Sequence, residues 1–131
     1  LAHKVLQYLG ATEVVDITNS KEPSNEEEFL SLIFTSPNPI TWHMYQLAYP
    51  VVEQLIGTKL LRKERNNQLL KTDWIMTVDN FQTLANKEEW LAYRQTLRDL
   101  PSNPPPFKWK NGDLDVEQMF PTQPKIIRSI Q

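Results

Sequence analysis

The sequence predicts a mainly α protein: an antiparallel helical hairpin, additional short helices, and an extended proline-rich C-terminal arm. Three observations lead there. Apolar residues recur at spacings of three and four within 50–72 and again within 88–100. Capping residues stand where these periodic runs begin. Prolines outnumber glycines ten to three, which leaves few flexible turns and several stiff segments. The chain divides on this reading into an N-terminal region of short helices and loops (1–49), the hairpin (50–101) and the arm (102–131).

Residues 2–9 read as a short helix that Gly10 can end. Residues 13–17 read as a brief extended segment rich in β-branched residues, and 18–25 form a loop by composition. Asn25 and Glu28 have capping-box spacing, with three glutamates in the first turn. A helix over about 26–34 follows, with Phe29, Leu30, Ile33 and Phe34 on one side. Pro37 and Pro39 break it. Thr41 can cap a new start, and Pro50 then kinks one long helix or opens a second; a helix over 50–72 is favoured. Its apolar side is Val51, Val52, Leu55, Ile56, Leu60, Leu69 and Leu70, and its 62–68 stretch is polar. Residues 72–87 connect it to the next helix, and Trp74, Ile75, Met76 and Phe81 pack that connection down.

The last helix, EEWLAYRQTLRDL, has Asn86 at its cap and Glu89 at its third position. Trp90, Tyr93 and Leu97 share one face, Leu91 and Leu100 flank it, and Arg94, Gln95 and Arg98 cover the other side. Pro101 ends the helix and pushes Leu100 out of helical geometry. Beyond it, Pro104–Pro106 favours a polyproline-type segment and Asn111-Gly112 marks one turn. Phe107, Trp109, Met119 and Phe120 are apolar anchors in an otherwise polar arm that gains little from its own core.

Composition excludes several functions. With 40% apolar and 23% charged residues over 131 positions, this is a globular chain with a modest core. A net charge of −2, with only a short basic patch at Arg62, Lys63 and Arg65, gives no nucleic-acid footprint. Without cysteine there are no disulfides, thiolate metal sites or thiol nucleophile. No apolar run approaches the roughly 20 residues of a membrane helix, and Leu1-Ala2-His3-Lys4 does not begin a secretion signal. The absent initiator Met points to further residues before Leu1.

His3 and His43 have no acidic or histidine partner at ligand spacing. Asp113, Asp115 and Glu117 alternate after Gly112, whereas a calcium loop has its glycine after the first acidic residues. Glu26, Glu27 and Glu28 are consecutive and point around a helix rather than into one site. Catalytic, metal-binding and cofactor-binding residues are therefore expected to be absent, and no cofactor is expected.

Two groups of residues carry a resemblance. The first is Arg65, Asn66, Leu69, Leu70, Thr72, Asp73 and Trp74. The second is Trp90, Tyr93, Arg94, Leu97, Arg98, Asp99 and Pro101, followed later by Phe120, Pro121 and Pro124. Over about 62–124 the chain resembles the tail assembly chaperones and tail-fibre assembly proteins of tailed bacteriophages. Phe120 stands where that family usually carries Trp, and residues 1–61 have no counterpart. The resemblance implies a protein that binds a tail, fibre or baseplate subunit, in the host cytoplasm during assembly or in the virion tail. The alternative is a structural virion subunit without chaperone activity; a further class, a small hydrolase acting on the host wall, is disfavoured because the sequence has no paired acid–base constellation.

On this reading the hairpin core is Leu69, Leu70, Trp74, Trp90, Tyr93 and Leu97. Partner contact falls to Phe107, Trp109, Met119, Phe120, Arg94 and Arg98, because aromatics and arginines dominate binding hot spots. A homo-oligomer within a particle is also possible on this reading.

Overall fold

A computed structural model describes residues 1–15 and 22–129. It is mainly helical, and it forms two compact units, Leu1–Gly57 and Thr58–Gln131. The division falls inside one long helix.

In the first unit, α1 (Ala2–Tyr8) buries Ala2, Val5 and Leu6. It closes with Gly10 at φ 106°, a left-handed conformation that favours glycine. The Gly10 and Ala11 amides donate to the carbonyls of Gln7 and Leu6, the paired bonds of a Schellman ending. β1 (Glu13–Val14) pairs antiparallel with β2 (Phe34–Thr35). Val15 continues beside β2, its amide donating to the Ile33 carbonyl at 3.0 Å, whereas 16–17 of the expected segment and 18–21 of the loop lie outside the described residues.

The Asn25 side chain accepts from the Glu28 amide at 2.8 Å, so α2 (Glu26–Leu30) starts where its capping residues stand. The Glu28 carboxylate reaches one residue further back than expected, to the Ser24 amide at 2.7 Å. α2 is shorter than the predicted 26–34 helix. The Ser31 hydroxyl bonds back to the Glu28 carbonyl, and Phe34 is taken into the β1–β2 ladder. Only Phe29 of the four expected apolar residues is buried; Leu30 and Ile33 are exposed and Phe34 is half-buried.

α3 runs unbroken from Trp42 to Thr72, with Pro50 inside it. The Thr41 hydroxyl accepts from the Met44 amide at 3.2 Å and fixes the start. The favoured start at 50 is thus corrected: 42–49 is helical, and Pro50 is tolerated on the exposed side. Its ring has no N–H to give the Gln46 carbonyl, so the helix lacks that one bond. Val52 is buried, whereas Val51 and Leu55 are exposed. The first core gathers Val5, Leu6, Phe29, Ile40, Tyr45, Ala48 and Val52. Phe29 is its centre, with ring centroids 5.4 Å from Tyr45 and 5.7 Å from Trp42. The Tyr45 hydroxyl donates to Glu22 at 3.1 Å, and the Ala2 amide donates to the same carboxylate at 3.1 Å.

In the second unit, α3 passes at Thr72 into a 3-10 turn (Asp73–Met76), then α4 (Val78–Gln82) and α5 (Lys87–Asp99). Asn86 stands at the start of α5 without the expected cap bond. Its amide instead donates to the Lys125 carbonyl at 2.7 Å. α5 ends at Asp99, two residues before Pro101, but its C-cap Leu100 keeps helical dihedrals (φ −55°, ψ −45°) instead of being pushed out of helical geometry.

The segment after Pro101 is not a free arm. Asn111 (φ 53°) and Gly112 (φ 80°) make the tight turn of a hairpin, β3 (Trp109–Lys110) with β4 (Asp113–Leu114). α6 (Val116–Met119) follows, capped by Asp115. Leu114, Met119 and Phe120 join Leu61, Ile75, Leu84, Trp90, Tyr93 and Leu97 in one core. Further on, Ala85 and Ser129 amides bond across to the Ile127 and Thr83 carbonyls, each at 2.7 Å. Trp90 is wholly buried, and its indole N–H donates to the Lys125 carbonyl at 3.3 Å.

Pro50→Ala is expected to raise stability by about 1–3 kcal/mol, the range for relieving proline inside a helix; a urea titration followed by circular dichroism measures it. An unchanged midpoint would show that the proline has no helical cost. A second expectation concerns alkali. Burial, then Glu22 and Glu53, push the Tyr49 hydroxyl up to about 12, from about 10 in an unfolded chain. A raised folded value means stability that is intact below pH 10 and lost as pH climbs through 12. Tyr49→Phe is expected to lose less stability across that window, read from melting temperatures at pH 9 to 12.

Candidate functional site

The polar residues of the two sequence groups meet at Arg94. Its side chain is 6% exposed, contrary to the solvent-facing position that helical spacing suggested. One guanidinium nitrogen donates to the Leu69 carbonyl at 2.9 Å and to the Thr72 hydroxyl at 2.6 Å. The other donates to Asp73 at 2.5 Å. Leu69 lies in the last turn of α3, where the Thr72 hydroxyl also reaches its carbonyl at 3.2 Å, and a cation there adds a second donor and complements the helix dipole. Thr72 also bonds back to the Gln68 carbonyl, which tightens that turn. Asp73 is more than half exposed, so water shares its charge.

The same helices are tied at two further points. The Tyr93 hydroxyl donates to the Gln68 side chain at 3.0 Å, and Gln68 donates to Glu64 at 3.1 Å. Arg65 reaches the Arg98 carbonyl at 3.4 Å. Burial chiefly raises the Tyr93 hydroxyl's pKa; Arg94 opposes this and Glu64 adds to it. The phenol is a hydrogen-bond donor to Gln68 here. Among the described residues no three His, Asp or Glu side chains gather as metal ligands would. Asp115, from the acidic run after Gly112, caps α6 by accepting from the Gln118 amide.

The structure separates the residues expected at the partner surface. Met119 and Phe120 are buried in the unit's own core, and Arg94 is buried against the end of α3. None of these three is open to a partner. Phe107 and Trp109 are half-buried, with ring centroids 6.2 Å apart, and pack on the same core. Arg98 is exposed.

The residues expected in the hairpin core also divide. Trp90, Tyr93 and Leu97 are buried and Leu69 packs beside them. Leu70 is 71% exposed and Trp74 45% exposed. Leu70 follows Leu69 by 100° around the helix, which turns it outward. In the 3-10 turn Ile75 takes the inner position and leaves Trp74 outside. Core members missed in the sequence are Leu61, Leu84 and Leu114. Leu114 had a signal, the Asn-Gly turn three residues before it; Leu61 was hidden by its neighbour Leu60.

Exposed apolar side chains thus remain at Leu70, Trp74 and Val78, four residues apart along the chain. No helix among the described residues is long and apolar enough to cross a membrane. Residues 58–109 match the model of the phage tail assembly chaperone protein family. The matched segment begins where the second unit begins and ends inside β3. It contains Arg94 and all its hydrogen-bond partners, and it leaves out Leu114, Met119 and Phe120, which complete the same core. No curated protein and no solved structure matches the chain.

Arg94→Ala is expected to cost about 2–4 kcal/mol, because it removes a buried charged donor from the Leu69 carbonyl and the Thr72 hydroxyl and leaves a void in the core. Asp73→Asn is expected to cost about 1 kcal/mol or less, since its carboxylate is solvated. Urea unfolding of both variants checks the ranking; equal costs would place the ion pair, rather than the carbonyl contact, in control.

Proposed function

We propose that this protein acts in building a bacteriophage tail by binding a tail subunit, without bond-making chemistry. The observation that carries this is the family match over 58–109. The partner is a tail, fibre or baseplate protein, met in the host cytoplasm during assembly. Contact is made by apolar side chains that the second unit leaves open: Leu70 and Trp74, with Arg98 and the half-buried Phe107 and Trp109 as further contributors. Trp and Arg supply large contact areas and give most hot spots their energy. Arg94, Met119 and Phe120 support this surface from inside. Retention in the finished tail is the variant of this reading in which the chain is a structural subunit.

Co-expression of the chain with single tail, fibre and baseplate subunits of its phage tests the proposal. A stable complex with one of them is expected, and Trp74→Ala is expected to weaken it at least about tenfold with little change in melting temperature. Failure of every subunit to bind, or unchanged affinity in Trp74→Ala and Leu70→Glu, overturns the proposal or its surface respectively. Mass spectrometry of purified particles separates a transient chaperone, which is absent, from a retained subunit, which is stoichiometric.

A further inference from the structure

The last described segment of the second unit is held in a way that lets it leave. Residues 125–129 form a strap running antiparallel along 83–86, with Arg128 opposite Leu84. The Ala85 and Ser129 amides donate to the Ile127 and Thr83 carbonyls, each at 2.7 Å. Asn86 grips the strap with both ends of its side chain. Its nitrogen donates to the Lys125 carbonyl at 2.7 Å, and its oxygen accepts from the Ile127 amide at 3.4 Å. The Arg128 guanidinium donates to the Asn80 carbonyl at 2.6 Å and to the Thr83 hydroxyl at 3.0 Å. Every side chain from Lys125 to Ser129 is exposed, Ile126 by 44% and Ile127 by 49%. The strap thus gives no residue to the core. Hydrogen bonds hold it, and water replaces those at little net cost. The entropy of ordering the segment opposes even that gain.

We propose that two copies of this chain exchange these straps, each laying residues 125–129 along the 83–86 edge of the other. The segment that already lies on the edge identifies the occupant. It is extended backbone in one register, with an arginine placed to reach the Asn80 carbonyl and the Thr83 hydroxyl together. A second copy brings that segment unchanged, whereas a foreign chain must supply both the register and the cation. Every bond broken on opening is remade on exchange. The exchanged pair therefore differs from two monomers mainly at the hinge and in lost translational freedom.

The hinge is residues 121–124, between the buried Phe120 and the strap. Pro121 and Pro124 stand at its two ends and bias it toward an extended form, which favours a released strap that reaches outward. Exchange is reciprocal and closes on two copies. A strap on a short tether competes for its own edge at an effective concentration of roughly millimolar. Monomers therefore dominate in dilute solution, and exchanged pairs accumulate where the chain is concentrated. Tail-subunit binding was assigned to Leu70 and Trp74, and the exchange does not depend on it.

Cross-linking of the full chain tests it, since the sequence has no cysteine of its own. Ala85 and Ile127 are exposed, and the register sets them opposite each other, within disulfide reach. A chain carrying only Ala85→Cys is mixed with one carrying only Ile127→Cys, at about 500 µM each, and oxidised. Linked pairs are expected at least about tenfold faster than between Ala85→Cys and Tyr8→Cys, whose thiol lies in the first unit. The double variant Ala85→Cys/Ile127→Cys gives a second readout. Oxidised at about 5 µM it is expected to run as an internally linked monomer, and at about 500 µM to yield linked dimers too. Once locked at the lower concentration, it is expected to stay monomeric in sedimentation velocity when concentrated. Equal rates in the two mixtures overturn the proposal. So does a double variant that gives only internally linked monomer at the higher concentration, or a locked chain that still dimerises as the native chain does.

Discussion

The contact between Arg94 and the end of α3 organises the second unit. A helix leaves its last carbonyls unpaired, and this one ends beside a compact core rather than in open water. The guanidinium fork reaches the Leu69 carbonyl, the Thr72 hydroxyl and Asp73 at once. A lysine has the charge but not the planar fork that serves three acceptors. Arg65 repeats the arrangement in the other direction, donating to a carbonyl near the end of α5. Each helix therefore supplies a cation to the carbonyl end of the other, which fixes their relative direction as well as their distance. The polar residues of the resemblance are placed by this requirement, and no catalytic role is needed to account for their spacing.

Packing around that contact explains why the proline-rich segment folds back. Trp90 is fully buried, and a buried aromatic removes on the order of 200 Å² from water, worth about 5 kcal/mol. The described helices alone do not enclose it. Leu114, Met119 and Phe120 share its core, and the Lys125 carbonyl accepts the indole N–H hydrogen bond. Prolines help here, because a segment that is already extended loses less entropy on docking than a flexible one. The Asn-Gly turn and the Asp115 cap then convert part of the segment into regular structure.

Much of the fold was legible. Gly10, the Asn25 and Glu28 pair, Thr41 and Pro101 each marked a boundary within a residue or so, since each acts through local chemistry. Legibility failed where the deciding interaction is distant in sequence. Phe34 left its helix for a strand because Val14 pairs with it. Asn86 gave up its capping role to residues 125–127. Spaced aromatics in a proline-rich segment announce a docking surface, but local chemistry does not say whether that surface belongs to the same chain. Phe120 and Met119 were assigned to a partner on that ground, and their own core took them.

The candidate surface was less legible than the fold for a related reason. Trp74 and Trp90 are both aromatic residues at helical spacing from other apolar residues, and periodicity treats them alike. Their environments differ because a 3-10 turn advances about 120° per residue instead of 100°. That change of pitch at Asp73 brings Ile75 inward and leaves Trp74 against water. The same turn holds Asp73 within reach of Arg94. One local transition, from α to 3-10 at Thr72, thus seats the internal ion pair and exposes the indole a few atoms away. The turn that presents Trp74 is itself held by the buried guanidinium through Asp73. Under the proposed function, a side chain fixed on such a turn loses less entropy on binding than one on a free segment.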